Sequence, residues 1–193
     1  MNADPHPWAC DLVPLYAEVW TRLTRGVHDR HAPARHPTLA TVTPKGRPRA
    51  RTVVLRAADK VTGTLDIHTD LRSSKIADLR ATPFAELHVW DTSAHLQLRI
   101  EAHVKILSGE EVQATWRAVP EASRLSYGSD PAPGQSIARS LDYTKTSDPD
   151  SFVVLRLVVD SVDALHLGQN HRRARFDRHD GWAGIWLVPC HSQ

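Results

Sequence analysis

The sequence predicts a mainly β domain, a six- to seven-stranded antiparallel barrel with peripheral helices, on three observations. Segments of strand-like alternation recur between residues 37 and 189, turn residues separate most of them, and neither internal repeats nor a βαβ alternation is present. With 193 residues the chain suits one domain, residues 1–193, with a substantial buried core.

Trp8, Leu12, Leu15 or Tyr16, Val19 and Leu23 recur at three- and four-residue steps, which predicts an amphipathic helix over about 8–26 that ends near Gly26. The period then changes. Thr38 to Thr43, a turn at Pro44-Lys45-Gly46-Arg47-Pro48, and Arg49 to Arg56 form a hairpin with a basic tip. Thr64 to Thr69 is a third strand, leading into Ser73-Ser74-Lys75, whose serines can cap a short helix that stops before Pro83. Phe84 to Trp90 and His95 to Leu107 are two further strands. The second alternates Leu96, Leu98 and Ile100 with Gln97, Arg99 and Glu101, so one face packs. Glu110 to Ala118 and Glu121 to Tyr127 read as short helices, and 128–149, rich in Ser, Asp, Pro and Gly, as a long loop. Phe152 to Val162 is a strong strand, followed by a short one over 164–167. The basic stretch His171 to Arg178, a turn at His179-Asp180-Gly181 and a last strand over 182–188 complete the chain.

A formal charge of +2, from 24 basic and 22 acidic residues, demands neither a nucleic acid nor a membrane as partner. The run from Arg172 to Arg178 is interrupted by Asp177, and His28, His31 and His36 read as a solvated helix end rather than a metal site. Six tryptophans are expected as core and interface anchors. Cys10 and Cys190 form no CxxC pair and are expected as reduced thiols. Without an apolar leader or a window of membrane-spanning length, the expectation is a soluble cytoplasmic protein.

Cations and hydroxyls recur at predicted strand ends: Arg51-Thr52-Val53-Val54-Leu55-Arg56, His68-Thr69, Ser73-Ser74-Lys75, and Gln97 before Arg99. Fixed cations beside hydroxyls at a helix start suit a phosphorylated ligand. Arg51 and Arg56, five apart, point to opposite faces of one strand unless it twists or bulges, and their separation of roughly 17 Å suits an extended ligand.

These segments, in this order and at these spacings, resemble the pyridoxamine 5′-phosphate oxidase-like, FMN-binding split barrels. The resemblance covers about 37–189 and includes Thr82-Pro83 before a strand, Gln135-Ser136 in the long loop, and His166 followed by His171-Arg172-Arg173-Ala174-Arg175. It is nearest to the subgroup termed pyridoxamine 5′-phosphate oxidase-related, and implies an FMN-dependent oxidoreductase of split-barrel fold. By the same resemblance, Arg51, Ser74 and Lys75 hold the FMN phosphate. The 51–56 strand (Arg51, Thr52, Val53, Val54, Leu55, Arg56), with His68, Thr69 and Gln97, lines the ring and ribityl chain. Gln135, Ser136, His166 and Arg175 come from the partner subunit of a homodimer. Arg56, Ser123, Arg172 and Arg173 fall on the substrate side.

The departures carry information too. Ser74 stands where the family has a second cation, and His166 where it has an aromatic residue. Thr115 and Val119 replace the tyrosine and arginine that grip a substrate phosphate, so oxidation of pyridoxine or pyridoxamine phosphate is not implied. The alternative is a non-enzymatic binding protein on the same barrel, a sensor or store for flavin, haem or deazaflavin.

Overall fold

The computed structural model describes residues 5–189; Cys190 lies outside them. Nine antiparallel strands form one sheet that curls into a split barrel. They are β1 (Thr38–Val42), β2 (Pro48–Thr52), β3 (Leu55–Asp59), β4 (Thr64–Asp70), β5 (Phe84–Asp91), β6 (Leu96–Leu107), β7 (Phe152–His166), β8 (Arg172–Asp177) and β9 (Ile185–Leu187). The main path runs β2-β1-β5-β6-β7-β4-β3, with β8 and then β9 added beside β7. The helices are α1 (Leu12–His28), α2 (Ser74–Ala81), α3 (Gln113–Ala118) and α4 (Glu121–Arg124). Among the described residues no helix is long and apolar enough to cross a membrane.

The barrel interior follows the alternation read from the sequence. Leu39, Leu65, Ile67, Leu87, Leu98, Ile100, Leu155 and Leu157 are buried, and α1 closes one side with Leu15, Val19, Trp20 and Leu23. A second, smaller core joins Val112, Val119, Tyr127, Phe152 and Val154, fastening α3, α4 and the long loop to the start of β7.

Several boundaries correct the expectation. The first α-helix starts at Leu12, not Trp8, because the Asp11 side chain accepts the Val13 N–H at 3.0 Å; Trp8 belongs to a preceding 3-10 turn over Pro7–Cys10. The helix ends at His28, two residues past Gly26. Gly26 lies within α1, where an added Cβ would sit 2.7 Å from the carbonyl carbon of Ala34, so the glycine lets the next segment approach. The continuous strand expected over 49–56 is two strands, because the Val53 N–H turns to the Pro37 carbonyl at 3.0 Å and Leu55 then pairs with Ile67 of β4. Arg56 is the unmatched residue of a bulge there, since the register passes from Leu55↔Ile67 to Ala57↔Asp66. With β8 also a strand, this raises the count to nine.

The segments 152–162 and 164–167 are one strand, bent where the β6–β7 register shifts between Ser161 and Val159 at Asp160. The last strand shrinks to Ile185–Leu187, after positive-φ backbone at Trp182 and Gly184. The helix expected from Glu110 starts as a 3-10 turn and becomes α-helical only at Gln113. The 128–149 loop carries one isolated strand-like pairing, Asp130 with Thr144. Its near end is tied down by Gly128, whose N–H donates to the buried Asp70 carboxylate at 3.0 Å; φ of +116° and the crowding of Asp148 and Thr146 leave no room there for a Cβ.

Candidate functional site

The break between β2 and β3, the bulge in β3, the end of β4 and the start of α2 surround a cleft of about 360 Å³. Arg51, Thr52, Val53, Val54, Arg56, His68, Thr69 and Lys75 all line it, so eight of the residues chosen from sequence converge. Arg51 and Arg56 meet the same cleft because they lie on different strands, the second turned by its bulge. A single straight strand would have held them apart.

At one end lies a compact polar cluster. Lys75 Nζ donates to Thr69 Oγ1 at 2.8 Å and Ser73 Oγ at 3.2 Å, and these two hydroxyls are 3.3 Å apart. Ser73 occupies the N-cap position of α2 but its side chain makes no cap hydrogen bond, contrary to the capping expected of it, because it turns towards Lys75 instead. Burial, reinforced by the charge of Arg51, lowers the Lys75 pKa from its ordinary value. Arg51 is braced from below: its guanidinium donates to Thr41 Oγ1 at 2.6 Å and reaches the buried Asp78 carboxylate at 3.4 Å. Two buried carboxylates stand close by but are already engaged, Asp78 by Thr41 and Arg51 and Asp70 by Arg72 and the Gly128 N–H, so the Lys75 ammonium and the two hydroxyls face the cleft, a donor set that a phosphate can use.

At the other end Arg56 lies beside Tyr127 and His68. Burial raises the Tyr127 pKa, with Arg56 opposing in part, so the phenol keeps its proton. The Arg56 Nε is buried without a hydrogen-bond partner. Burial, then the Arg56 charge, brings His68 down to about 4, so its imidazole is neutral at pH 7.

A depressed histidine couples folding to pH. The unfolded chain binds the proton near pH 6.5 and the folded one only near 4, so the stability from neutral His68 is complete above pH 6.5 and is lost as pH falls towards 4. The loss should reach up to about 3 kcal/mol. Urea midpoints at pH 7 and pH 4.5 should differ less in His68→Gln than in the wild type; an equal difference would remove His68 as the cause.

The remaining sequence-chosen residues lie elsewhere. Ser74 is exposed and lines a neighbouring cleft, while Ser73 lines this one. The Leu55 side chain is fully buried in the barrel, and its carbonyl accepts from Arg35 at 3.3 Å. Gln97 is on β6, 3.4 Å from the His88 imidazole, and Gln135 and Ser136 are exposed in the long loop. Arg175 pairs with Glu101 at 3.1 Å and with Asp177 at 2.9 Å. Arg173 and Arg99 share the buried Asp163, at 2.6 and 2.7 Å, and Arg172 approaches His166 at 3.5 Å. His166 is 2% exposed, enclosed by His6 and Trp8 rather than presented outwards. Ser123 is part of α4, Thr115 of α3, and Val119 is buried in the second core.

Tyr127 and Asp78 are not among the residues that the sequence singles out, whereas Ser73 is, with Ser74 and Lys75, as part of an anion site. Only Asp78 left a trace, as an acid amid Arg49, Arg51 and Lys75; a tyrosine ahead of a loop glycine carries no pattern.

The family model for the pyridoxamine 5′-phosphate oxidase, FMN-binding domain matches residues 17–108, which hold most of the cleft. Pyridoxine/pyridoxamine 5′-phosphate oxidase 2 of Arabidopsis thaliana is 29% identical, the match covering 79% of this chain and 85% of the relative. The corresponding oxidase of Acinetobacter baumannii is 31% identical over 73% of this chain and 62% of its own length. Among solved structures, a pyridoxamine 5′-phosphate oxidase-related, FMN binding protein from Nostoc punctiforme superposes with a TM-score of 0.75 at 27% identity, covering 98% of this chain and all of that one. PhzG from Burkholderia lata, solved with tetrahydrophenazine-1-carboxylic acid, reaches 0.72 over 97% of this chain and 98% of its own, but at 18% identity it speaks for the fold alone. Ordered cleft residues, barrel topology and relatives agree: the chain has the split-barrel fold of the pyridoxamine 5′-phosphate oxidase-related, FMN-binding proteins and is similar to that family along most of its length.

Proposed function

We propose that the protein is an FMN-dependent oxidoreductase working as a homodimer, with a substrate other than pyridoxine or pyridoxamine 5′-phosphate. The observation that carries this is the Lys75, Thr69, Ser73 and Arg51 cluster: cations and hydroxyls within hydrogen-bond reach of one another, in a cleft lined by the backbone of Thr52 to Val54. The donor set fits a phosphate dianion. Lys75 and Arg51 supply charge and direction, the hydroxyls take up the remaining phosphate oxygens, and the first turn of α2 adds its partial positive charge. When bound, FMN supplies the electron transfer, and the protein supplies position and electrostatics.

On the substrate side the chain offers Arg56 with its unpaired Nε, the protonated Tyr127 hydroxyl and neutral His68. One cation and two neutral polar groups suit a small substrate that is neutral or singly charged. A dianion lacks its arginine, because Val119 is 7% exposed in an apolar core. The positive charge of Arg56 also favours the anionic reduced form of a nearby flavin.

Dimerisation rests on the outer face of β1, β5 and β6. Val42, Phe84 and Trp90 are exposed there, around a largely apolar cleft of about 490 Å³. The same face presents Gln97 and Arg99, and a second copy covering it would bring partner residues towards the cofactor. The test is a flavin titration with sedimentation of the same sample. A two-chain species that takes up one FMN per chain, bleaches with a reductant and recovers in air supports the reading; no uptake at micromolar FMN ends it. A Soret band in the purified protein would favour the haem-binding alternative instead.

A further inference from the structure

A second cleft, of about 600 Å³, lies on the other side of the start of α2 and is basic like the first. Its walls are the β1–β2 turn, the start of β2 and the exposed side of α2, and they carry Lys45, Arg47 and Arg49 beside the Ser74 hydroxyl. The one acid in the lining is Asp78, which is 1% exposed and already engaged by Thr41 at 2.9 Å and Arg51 at 3.4 Å. Neither Lys45 nor Arg47 has an ion-pair partner among the described residues.

Asp78 lines the second cleft and links it to the first through Arg51. Arg49 approaches this carboxylate at 3.8 Å from the second cleft, while Arg51 approaches it at 3.4 Å from the first. Residues two apart on a strand share a face, so Arg49 and Arg51 of β2 form a row leading outwards from Lys75, with Arg47, at the end of the preceding turn, lining the same second cleft as Arg49. Exposure rises along it, from 21% for the Arg51 side chain to 49% for that of Arg49. The start of α2 stands between the clefts, with Ser73 turned to one and Ser74 to the other. In a dinucleotide the two phosphates share a bridging oxygen, so adjacent cations on one row can each take one.

Resting on the proposed phosphate site, we infer that this second cleft receives the second phosphate of a flavin dinucleotide, so that the protein accepts FAD as well as FMN. Arg51 and Lys75 hold the inner phosphate in both cases. Arg49, Arg47 and Lys45 meet the outer one, and the adenosine extends past the hairpin into solvent.

FMN and FAD are titrated separately into the wild type and into the Lys45→Ala/Arg47→Ala variant, whose changes lie outside the inner phosphate site. The wild type should bind FAD, and the variant should weaken FAD by about tenfold, as two partly exposed charge contacts together amount to roughly 1.4 kcal/mol. FMN affinity should stay within about twofold, and the loss of FAD affinity should disappear at high salt. If FMN binds but FAD does not, or if FAD binds equally to both proteins, this inference is overturned while the inner site stands. Failure of both flavins to bind overturns both readings, and equal weakening of both assigns Lys45 and Arg47 to a general field rather than an outer-phosphate contact.

Discussion

Lys75→Ala is expected to lower FMN affinity by one to two orders of magnitude, and adding Arg51→Ala to abolish uptake at micromolar FMN. Each charge-assisted hydrogen bond to a phosphate contributes about 1.5–3 kcal/mol, so losing both cations costs roughly 3–6 kcal/mol, or about 10²–10⁴ in affinity. The two single changes should separate in stability. Lys75 sits in the apo cleft as a half-buried cation whose pKa is lowered by burial and by Arg51, so its removal relieves an unfavourable charge and should leave the melting temperature unchanged or higher. Arg51 braces Asp78 and Thr41, and its loss leaves a buried carboxylate with Thr41 and the more distant Arg49, so stability should fall. Fluorescence titration read beside thermal melting tests both. A Lys75→Ala protein that binds FMN like the wild type would sink the phosphate site.

The largest stability effect is expected from Phe152→Ala. The ring is fully buried, with centroids 5.0 Å from His68, 5.0 Å from Tyr127 and 5.2 Å from Trp116. Truncating it should cost about 3–5 kcal/mol, through lost burial and the cavity left behind. Its neighbours His68 and Tyr127 line the cleft, so FMN binding should weaken as well. Leu157→Ala, in the barrel interior, is the control: it should lose stability with less change in flavin affinity. Urea denaturation gives the first quantity, titration of the folded protein the second. If Phe152→Ala does not fold, Phe152→Leu should show the same pairing of losses on a smaller scale. Equal flavin affinity in the Phe152 and Leu157 variants would detach the second core from the site.

The barrel was legible because a half-buried strand writes its pleat into the sequence. Leu96, Leu98 and Ile100 alternate with Gln97, Arg99 and Glu101, and they point as the alternation requires. The polar cluster in the cleft was legible for a related reason, since Thr69, Ser73 and Lys75 lie within one strand-to-helix turn where local geometry fixes their relations. What escaped depends on events without periodicity. A bulge at Arg56 adds one residue to one side of a ladder and leaves no composition mark. The choice between Ser73 and Ser74 turns on a single rotation at the start of α2, and a pair of serines looks alike from either side. His166 was expected to face a partner, yet the packing of His6 and Trp8 over it joins segments some 160 residues apart. Tyr127 reaches the cleft only because the second core brings α4 and the loop against Phe152.

The bend in β7 has a bearing on how such a molecule can change. Before Asp160 the strand pairs with β4, which carries His68 and Thr69; after it, the strand pairs with β8, which carries Arg172, Arg173 and Arg175. One strand therefore belongs to two neighbourhoods, and the register shift between them absorbs displacement instead of passing it along the ladder. Substitutions in the β8–β9 ribbon are expected to leave the Lys75, Thr69 and Ser73 cluster in place. Change at the β8–β9 end is therefore set apart, by a single unmatched residue, from the end of the barrel that carries His68 and Thr69.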